Sequence, residues 1–105
     1  MTTSKKRILQ MIKMKVLEVD PLAEVILYGS RARGDEGSGS DWDILILTND
    51  PVSVEKEKIF RHRLFDLELE IEEVFSTFVY HKNDWHAKMR ITPFYRNIQK
   101  EGIML

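Results

Sequence analysis

The sequence of 105 residues contains no cysteine, only three prolines and only five glycines. Without cysteine, the chain has no disulfide, no thiolate nucleophile and no cysteine-based zinc site. Its length is close to that of the commonest single domains, and its 43% of hydrophobic residues is ordinary for a globular protein. We therefore expect one folded domain spanning residues 1–105.

An excess of charge and long apolar runs are also missing. Sixteen basic and seventeen acidic residues leave a formal net charge of −1, which gives no electrostatic reason for binding nucleic acid or a membrane surface. No apolar run approaches the length of a membrane-spanning helix, and the amino terminus lacks the apolar core of a signal peptide. We expect a soluble, cytoplasmic protein that contacts neither membrane nor nucleic acid.

The apolar pattern predicts helices and strands in one small fold. Helical spacing or capping signals mark three helices: 5–19, a segment capped by Ser53, and a segment opened by Thr92-Pro93 and ended by Gly102. Apolar, β-branched or aromatic runs mark four strands: 25–28, 44–47, 74–80 and a short edge strand at 103–105. The predicted fold class is α+β (α/β), a small mixed β-sheet with helices packed against it.

Four of the five glycines lie in one stretch, LYGSRARGDEGSGSDWDILIL, at residues 27–47. Its segment from 29 to 40 is too long for a tight hairpin, and we expect a short helix starting near Ser30. Gly29 and Ser30 directly follow a strand, where glycine lets the backbone approach a ligand and free N–H groups favour phosphate. The Ser30 hydroxyl can donate to a phosphate oxygen, and Arg31 and Arg33 add positive charge.

Two carboxylates follow, one residue apart. If Asp41 and Asp43 lie on a strand, the period of two places both on one face and Trp42 on the other. Carboxylates held that close repel each other unless a cation lies between them, and oxygen ligands shared with substrate phosphates suit Mg²⁺. The alternative is that both residues are turn formers at a strand start, but the upstream Gly29-Ser30 pair favours metal-dependent nucleotide chemistry.

This arrangement resembles the signature of the minimal nucleotidyltransferases, which belong to the DNA polymerase β-like nucleotidyltransferase superfamily. The resemblance rests on GSRARG at 29–34, five further residues, and SDWD at 40–43 followed by apolar residues. The segment TPFYRNIQKEGIML at 92–105 is also similar to small bacterial members. The resemblance implies a polymerase β-like fold and transfer of a nucleoside monophosphate, usually from ATP, to a hydroxyl group, with pyrophosphate leaving.

The resemblance also implies a cofactor, a partner and residue roles. Asp41 and Asp43 would hold one or two Mg²⁺ ions. Small members of the family commonly act as antitoxins that adenylylate a tyrosine of a helical HEPN-type protein, or simply bind it, so we expect such a partner. We expect five residues to bind the nucleotide: Gly29, Ser30, Arg31, Arg33 and Ser40.

Active members of the family usually carry a third carboxylate on the next strand, and residues 74–80 contain none. Glu73 is our preferred candidate because it lies closest to that strand, and we predict it to be catalytic together with the aspartate pair. Glu70 and Glu72 are the other candidates. If Ser76 takes this place instead, we expect a catalytically weak or inactive nucleotide-binding module that neutralises its partner by binding.

Two further alternatives stay open. Arg31 and Arg33 either face the nucleotide or pair with nearby acids such as Asp35 and Glu36. Three aromatic residues either stack on a nucleobase or pack in the core: Trp85, Phe94 and Tyr95.

Overall fold

A computed structural model describes residues 4–105 of the chain. Nine elements follow one another: α1 (Lys5–Val19), β1 (Glu24–Tyr28), α2 (Ser30–Arg33), β2 (Trp42–Thr48), α3 (Val54–Ile71), β3 (Phe75–His81), α4 (Lys82–Lys88), α5 (Pro93–Glu101) and β4 (Ile103–Met104). The strands form one sheet in the order β3-β2-β1-β4, in which β2 and β3 are parallel and the other pairs are antiparallel. The predicted α+β fold with a small mixed sheet is confirmed.

The predicted helices are present, and one further helix was not predicted. The side chains of Ser53 and Thr92 accept the N–H groups of Lys56 and Tyr95, so both predicted helix caps form. Helix α4 has seven residues and buries only Trp85, so no apolar periodicity indicates it in the sequence. Among the helices of residues 4–105, none is both long and apolar enough to cross a membrane.

Gly102 ends α5 as predicted, but its conformation differs from that of the usual cap glycine. Its φ of −64° and ψ of 138° are extended rather than left-handed. A Cβ at this position would lie 2.5 Å from the Ile98 carbonyl oxygen and 2.9 Å from Cγ2 of Ile26. Glycine is therefore required here by close packing against α5 and β1, and not by a left-handed backbone conformation.

The sheet separates two apolar clusters. One cluster lies against α1 and α3 and includes Ile8, Ile12, Val16, Ile44, Ile46, Phe60 and Leu64. The other is smaller and consists of Leu45, Leu47, Trp85 and Ile98, with helices α4 and α5 on that face. Alternation along β2 places Trp42 on the first face and Asp43 on the second, together with Leu45. The carboxylate of Asp43 therefore lies at one end of the smaller apolar face.

A partly buried ion pair joins the end of α1 to the first turn of α3. Oδ2 of Asp20 lies 2.8 Å from Nζ of Lys56, and Oδ1 accepts the N–H of Leu22 at 3.0 Å. Burial alone would raise the pKa of Asp20, but the hydrogen bonds from Lys56 and Leu22 outweigh it and leave the pKa below its ordinary value of 3.8. The pair therefore stabilises the fold above the unfolded-state pKa, and this contribution is lost as the pH falls through the folded-state pKa.

Replacing Lys56 with methionine is expected to lower the free energy of unfolding by about 1–2 kcal/mol at neutral pH, because Asp20 then stays buried without its cation. The loss should shrink as the pH falls below about 4, where Asp20 becomes protonated. Urea unfolding at neutral pH and at acidic pH measures both values. Lys58→Met, at an exposed lysine of the same helix, is the control. If Lys56→Met lowered the free energy of unfolding equally at both pH values, a role for the ion pair would be contradicted.

Candidate active site

The chain turns sharply where β1 ends. Gly29 has a φ of 74° and a ψ of −160°, a combination that is open almost only to glycine. The predicted short helix follows as α2, a single turn, and Gly34 ends it in the left-handed conformation with a φ of 84°. Together, residues 29–33 form what we call the phosphate turn, the segment in which the sequence predicts phosphate contacts.

The two aspartates lie beside this turn. Asp43 pairs with Tyr28 in the β1–β2 register, which brings its side chain against Gly29. A Cβ built on Gly29 would overlap Oδ2 of Asp43 and would lie 3.0 Å from its Cγ. Asp41 is exposed just before β2, whereas Trp42 between them is buried on the opposite face. The structure therefore brings Asp41, Asp43 and Gly29 to one corner of the sheet.

Electrostatics at this corner favour a bound cation. Burial, followed by the negative charge of Asp41, raises the pKa of Asp43, and the positive charge of Arg33 opposes this rise. Two mutually repelling carboxylates are a donor set that fits a hard divalent cation. Residues 4–105 contain no group of three or more His, Asp or Glu side chains placed to hold a metal ion. The pair alone would leave coordination positions for phosphate oxygens and water, which Mg²⁺ commonly retains.

The structure does not bring the predicted third carboxylate to the pair. Oε2 of Glu73 lies 3.9 Å from Nη2 of Arg31. In the parallel pairing of β2 with β3, the residue opposite Asp43 is Ser76. The catalytic role of Glu73 stays a prediction that this geometry does not support. The other two candidates are exposed: Glu70 and Glu72.

A carboxylate that does approach the site comes from α5. Oε1 of Glu101 accepts the N–H of Gly29 at 3.2 Å, and its Oε2 accepts Nη1 of Arg33 at 2.9 Å. The negative charge of Glu101 also contributes to the raised pKa of Asp43. Sequence reasoning missed Glu101 because 72 positions separate it from Gly29. The available signal was its place within 92–105, the second segment that resembles the family.

Arg31 connects the two ends of the loop between β1 and β2. Its Nη2 and Nε donate to the carbonyl oxygen of Ser40 at 2.7 and 3.1 Å, and its guanidinium carbon lies 4.3 Å from the centre of the Trp42 ring. The hydroxyl of Ser40 accepts the N–H of Gly37 at 3.0 Å. Arg31 and Ser40 thus hold the loop closed in the structure.

Arg33 forms ion pairs with acidic side chains, which is one of the two alternatives that the sequence left open. Its guanidinium lies 2.9 Å from Oε2 of Glu101 and 3.1 Å from Oδ2 of Asp35. It is nevertheless close enough to lower the pKa of Asp43 through its charge. Direct nucleotide contacts stay predictions for all five residues named from the sequence: Gly29, Ser30, Arg31, Arg33 and Ser40.

The aromatic residues of α4 and α5 differ in exposure. Trp85 is fully buried and packs against Tyr95, with ring centres 5.2 Å apart, so it belongs to the core. Phe94 is half-buried, and its ring meets that of Tyr28 edge-on at 5.4 Å. Because Tyr28 is the register partner of Asp43, Phe94 lies at the border of the candidate site.

Comparison with known proteins places this chain in a family. The family model described as the nucleotidyltransferase domain matches residues 6–103. A protein of Methanocaldococcus jannaschii, assigned as a protein adenylyltransferase, is 51% identical over 43 residues, which are 40% of this chain and 43% of that protein. The matched stretch therefore spans less than half of this curated relative.

Three solved structures are similar in fold. A toxin–antitoxin structure with AMP-PNP gives a TM-score of 0.63 at 15% identity, covering 90% of this chain and 69% of that one. A Sulfolobus solfataricus protein assigned as a nucleotidyltransferase gives a TM-score of 0.57 at 24% identity, covering 94% of this chain and 79% of that one. A mutant of the toxin–antitoxin pair MntA–HpeT gives a TM-score of 0.59 at 12% identity, covering 97% of this chain and 72% of that one. Since the family model spans nearly the whole chain, the protein belongs to the nucleotidyltransferase domain family.

Proposed function

We propose that the protein transfers a nucleoside monophosphate, AMP from ATP, to a hydroxyl group of a partner protein, with Mg²⁺ as cofactor. The observation that carries this proposal is the placement of Asp41 and Asp43 beside the Gly29 turn in a chain of the nucleotidyltransferase domain family. Two relatives support the choice of substrates. One is assigned as a protein adenylyltransferase, and another is a toxin–antitoxin structure with AMP-PNP.

The residues of the site have separate tasks in this reaction. Asp41 and Asp43 would hold Mg²⁺, which, when bound, supplies charge neutralisation at the phosphates. Gly29 leaves room for a phosphate group to approach the backbone, and the Ser30 hydroxyl donates to a β- or γ-phosphate oxygen. The acceptor oxygen forms a bond to the α-phosphorus while the bond to the bridging oxygen breaks. Pyrophosphate leaves, and the hydroxyl proton passes to water.

We place this activity in a cytoplasmic toxin–antitoxin pair, with the protein as the antitoxin and a helical HEPN-type protein as its acceptor. Two of the structural relatives come from toxin–antitoxin pairs, which supports this setting. The exposure of Asp41 also supports it, because a site that is open to solvent can receive a hydroxyl carried by a large partner.

A second candidate function is a nucleotide-binding module with weak or no turnover that neutralises its partner by binding. One observation favours it: Ser76 lies opposite Asp43, on the strand where a third carboxylate would complete the site. A neutral hydroxyl is a poorer ligand for Mg²⁺ than a carboxylate. The two candidates share the nucleotide site and differ only in turnover.

The proposed transfer is tested with ATP labelled on the α-phosphate, Mg²⁺, the purified protein and a lysate of its host. We expect label on one discrete protein, and no label without Mg²⁺ or with the Asp41→Asn, Asp43→Asn double variant. ATP labelled on the γ-phosphate is the matched control and should add no label to that protein in response to the purified protein, because the γ-phosphate leaves with pyrophosphate. ATP binding without transfer would favour the second candidate, and absence of ATP binding would contradict both.

A further inference from the structure

One carboxylate holds both ends of the phosphate turn. Glu101 is the last residue of α5, and only 20% of its side chain is exposed. Its two oxygens accept hydrogen bonds from the N–H of Gly29 and from the guanidinium of Arg33. Gly29 is the cap residue that precedes α2, and Arg33 is the last residue of α2. Glu101 therefore bridges the start and the end of the turn.

Besides Glu101, the side chain of Arg31 fixes the turn, through its hydrogen bonds to the Ser40 carbonyl oxygen and its contact with the Trp42 ring. Helix α2 has four residues and none of them is buried, and its apolar contact with the core is limited to the small side chain of Ala32. A single helical turn is only marginally stable by itself, because it orders several residues for few hydrogen bonds. The N–H groups of Ala32 and Arg33 both share the carbonyl oxygen of Gly29. The conformation of the turn therefore depends on polar contacts from outside it, and Glu101 supplies two of them.

A negative charge at this position has an electrostatic cost. Glu101 is close enough to Asp43 for its charge to act on that carboxyl group, which is already beside Asp41. Like charges in such proximity repel, so a residue needed only to fill space would be better uncharged. The ion pair with Arg33 offsets this repulsion. The cost is consistent with a carboxylate that serves the site rather than the core.

We propose that Glu101 is a positioning residue of the nucleotide site. It accepts the Gly29 N–H and pairs with Arg33, and so it holds the turn in the single conformation in which the Ser30 hydroxyl meets the nucleotide phosphates. A turn held in one conformation binds the nucleotide more tightly, because the entropic cost of ordering the turn arises during folding and not during binding. The proposal rests on the proposed binding of a nucleotide at Gly29 and Ser30, and it concerns affinity rather than the chemical step.

The experiment compares Glu101→Ala and Glu101→Gln with the wild type, and Lys100→Ala, an exposed neighbour in the same helical turn, is the control. The Kd of ATP with Mg²⁺ is measured by calorimetry, and the Kd of Mn²⁺ alone by its electron spin resonance signal. Glu101→Ala should raise the Kd of ATP about tenfold because two hydrogen bonds that order the turn are lost. Glu101→Gln keeps an oxygen for the Gly29 N–H and should give a smaller rise. The Kd of Mn²⁺ should stay within about twofold of that of the wild type, since Asp41 and Asp43 remain.

Amide hydrogen exchange supplies a readout that does not need a nucleotide. In Glu101→Ala, the Gly29 amide should exchange faster, while amides of the central strand β2 keep their protection. An unchanged or tighter ATP affinity in Glu101→Ala would overturn this inference and leave the proposed function standing. Equal weakening of ATP and Mn²⁺ binding with faster exchange throughout β2 would assign Glu101 to the fold alone. Absence of ATP binding by the wild type would overturn the proposed function, and this inference with it.

Discussion

Replacing Asp41 and Asp43 together with asparagine is expected to abolish Mg²⁺-dependent nucleotide transfer without loss of the fold. Asparagine preserves the size of each side chain but removes both negative charges, and a hard cation that keeps several waters needs those charges for binding. Loss of the charge stabilisation at the phosphates should lower the rate by at least about a hundredfold. Transfer of α-phosphate label to the acceptor measures this loss.

The same double variant should be as stable as the wild type or more stable. Burial and the charge of Asp41 raise the pKa of Asp43 in the fold. For an acid, a raised folded-state pKa means that ionisation at neutral pH destabilises the fold relative to the unfolded chain. A neutral asparagine removes this penalty, so the Tm of the ligand-free protein at neutral pH should be unchanged or higher. Asp66→Asn, at an exposed acid of α3, is the control.

Two results would contradict these expectations. Transfer that survives in the double variant would remove the proposed metal site. A clear fall in Tm would show instead that Asp41 and Asp43 support the fold, as the turn-former interpretation of the sequence holds.

Replacing Gly29 with alanine is expected to reduce nucleotide transfer about as strongly as the double substitution of Asp41 and Asp43. The added Cβ would overlap Oδ2 of Asp43, and because this atom is the end of a side chain, the carboxylate moves before the backbone does. Misplacing a reacting group by about 1 Å can cost on the order of a hundredfold in rate. The backbone conformation of Gly29 adds strain of about 1–3 kcal/mol, which should also lower Tm.

Gly34→Ala is the matched control for this substitution. Gly34 also has a positive φ, of 84°, but a Cβ there would meet no atom within 4 Å. It therefore reproduces backbone strain in the same loop without the contact to Asp43. Measured Tm should fall in both variants, whereas transfer should fall steeply only in Gly29→Ala. An equal loss of transfer in both would attribute the effect to loop strain alone.

The parts of the site that could be predicted from the sequence are those close together along the chain. Gly29 and Asp43 lie at the two ends of one β1–β2 connection, so strand pairing alone brings them side by side. The caps at Ser53 and Thr92 are likewise local, and both form. Glu101 could not be predicted in this way, because only the packing of α5 and β4 onto the sheet brings it to Gly29.

The third carboxylate shows the limit of a prediction from distance along the chain. The sequence favours Glu73 because it lies nearest to the start of the predicted strand. In the structure, Ser76 pairs with Asp43, and Glu73 lies before the first residue of β3, directly after the left-handed Glu72. The alternation of the strand therefore does not set the direction of the Glu73 side chain. Its carboxylate lies beside Arg31, the residue that stacks on Trp42.

The hydrogen bond from Gly29 to Glu101 has a consequence for the order in which the molecule folds. It closes a separation of 72 positions, whereas the pairing of Tyr28 with Asp43 lies within a single hairpin. Contacts between distant positions form late, because they require the closure of a long loop. We expect the aspartate pair to assemble early and the turn to become fixed only when α5 docks. A partly folded molecule would then hold Asp41 and Asp43 together before the turn takes the conformation in which it binds a nucleotide most tightly.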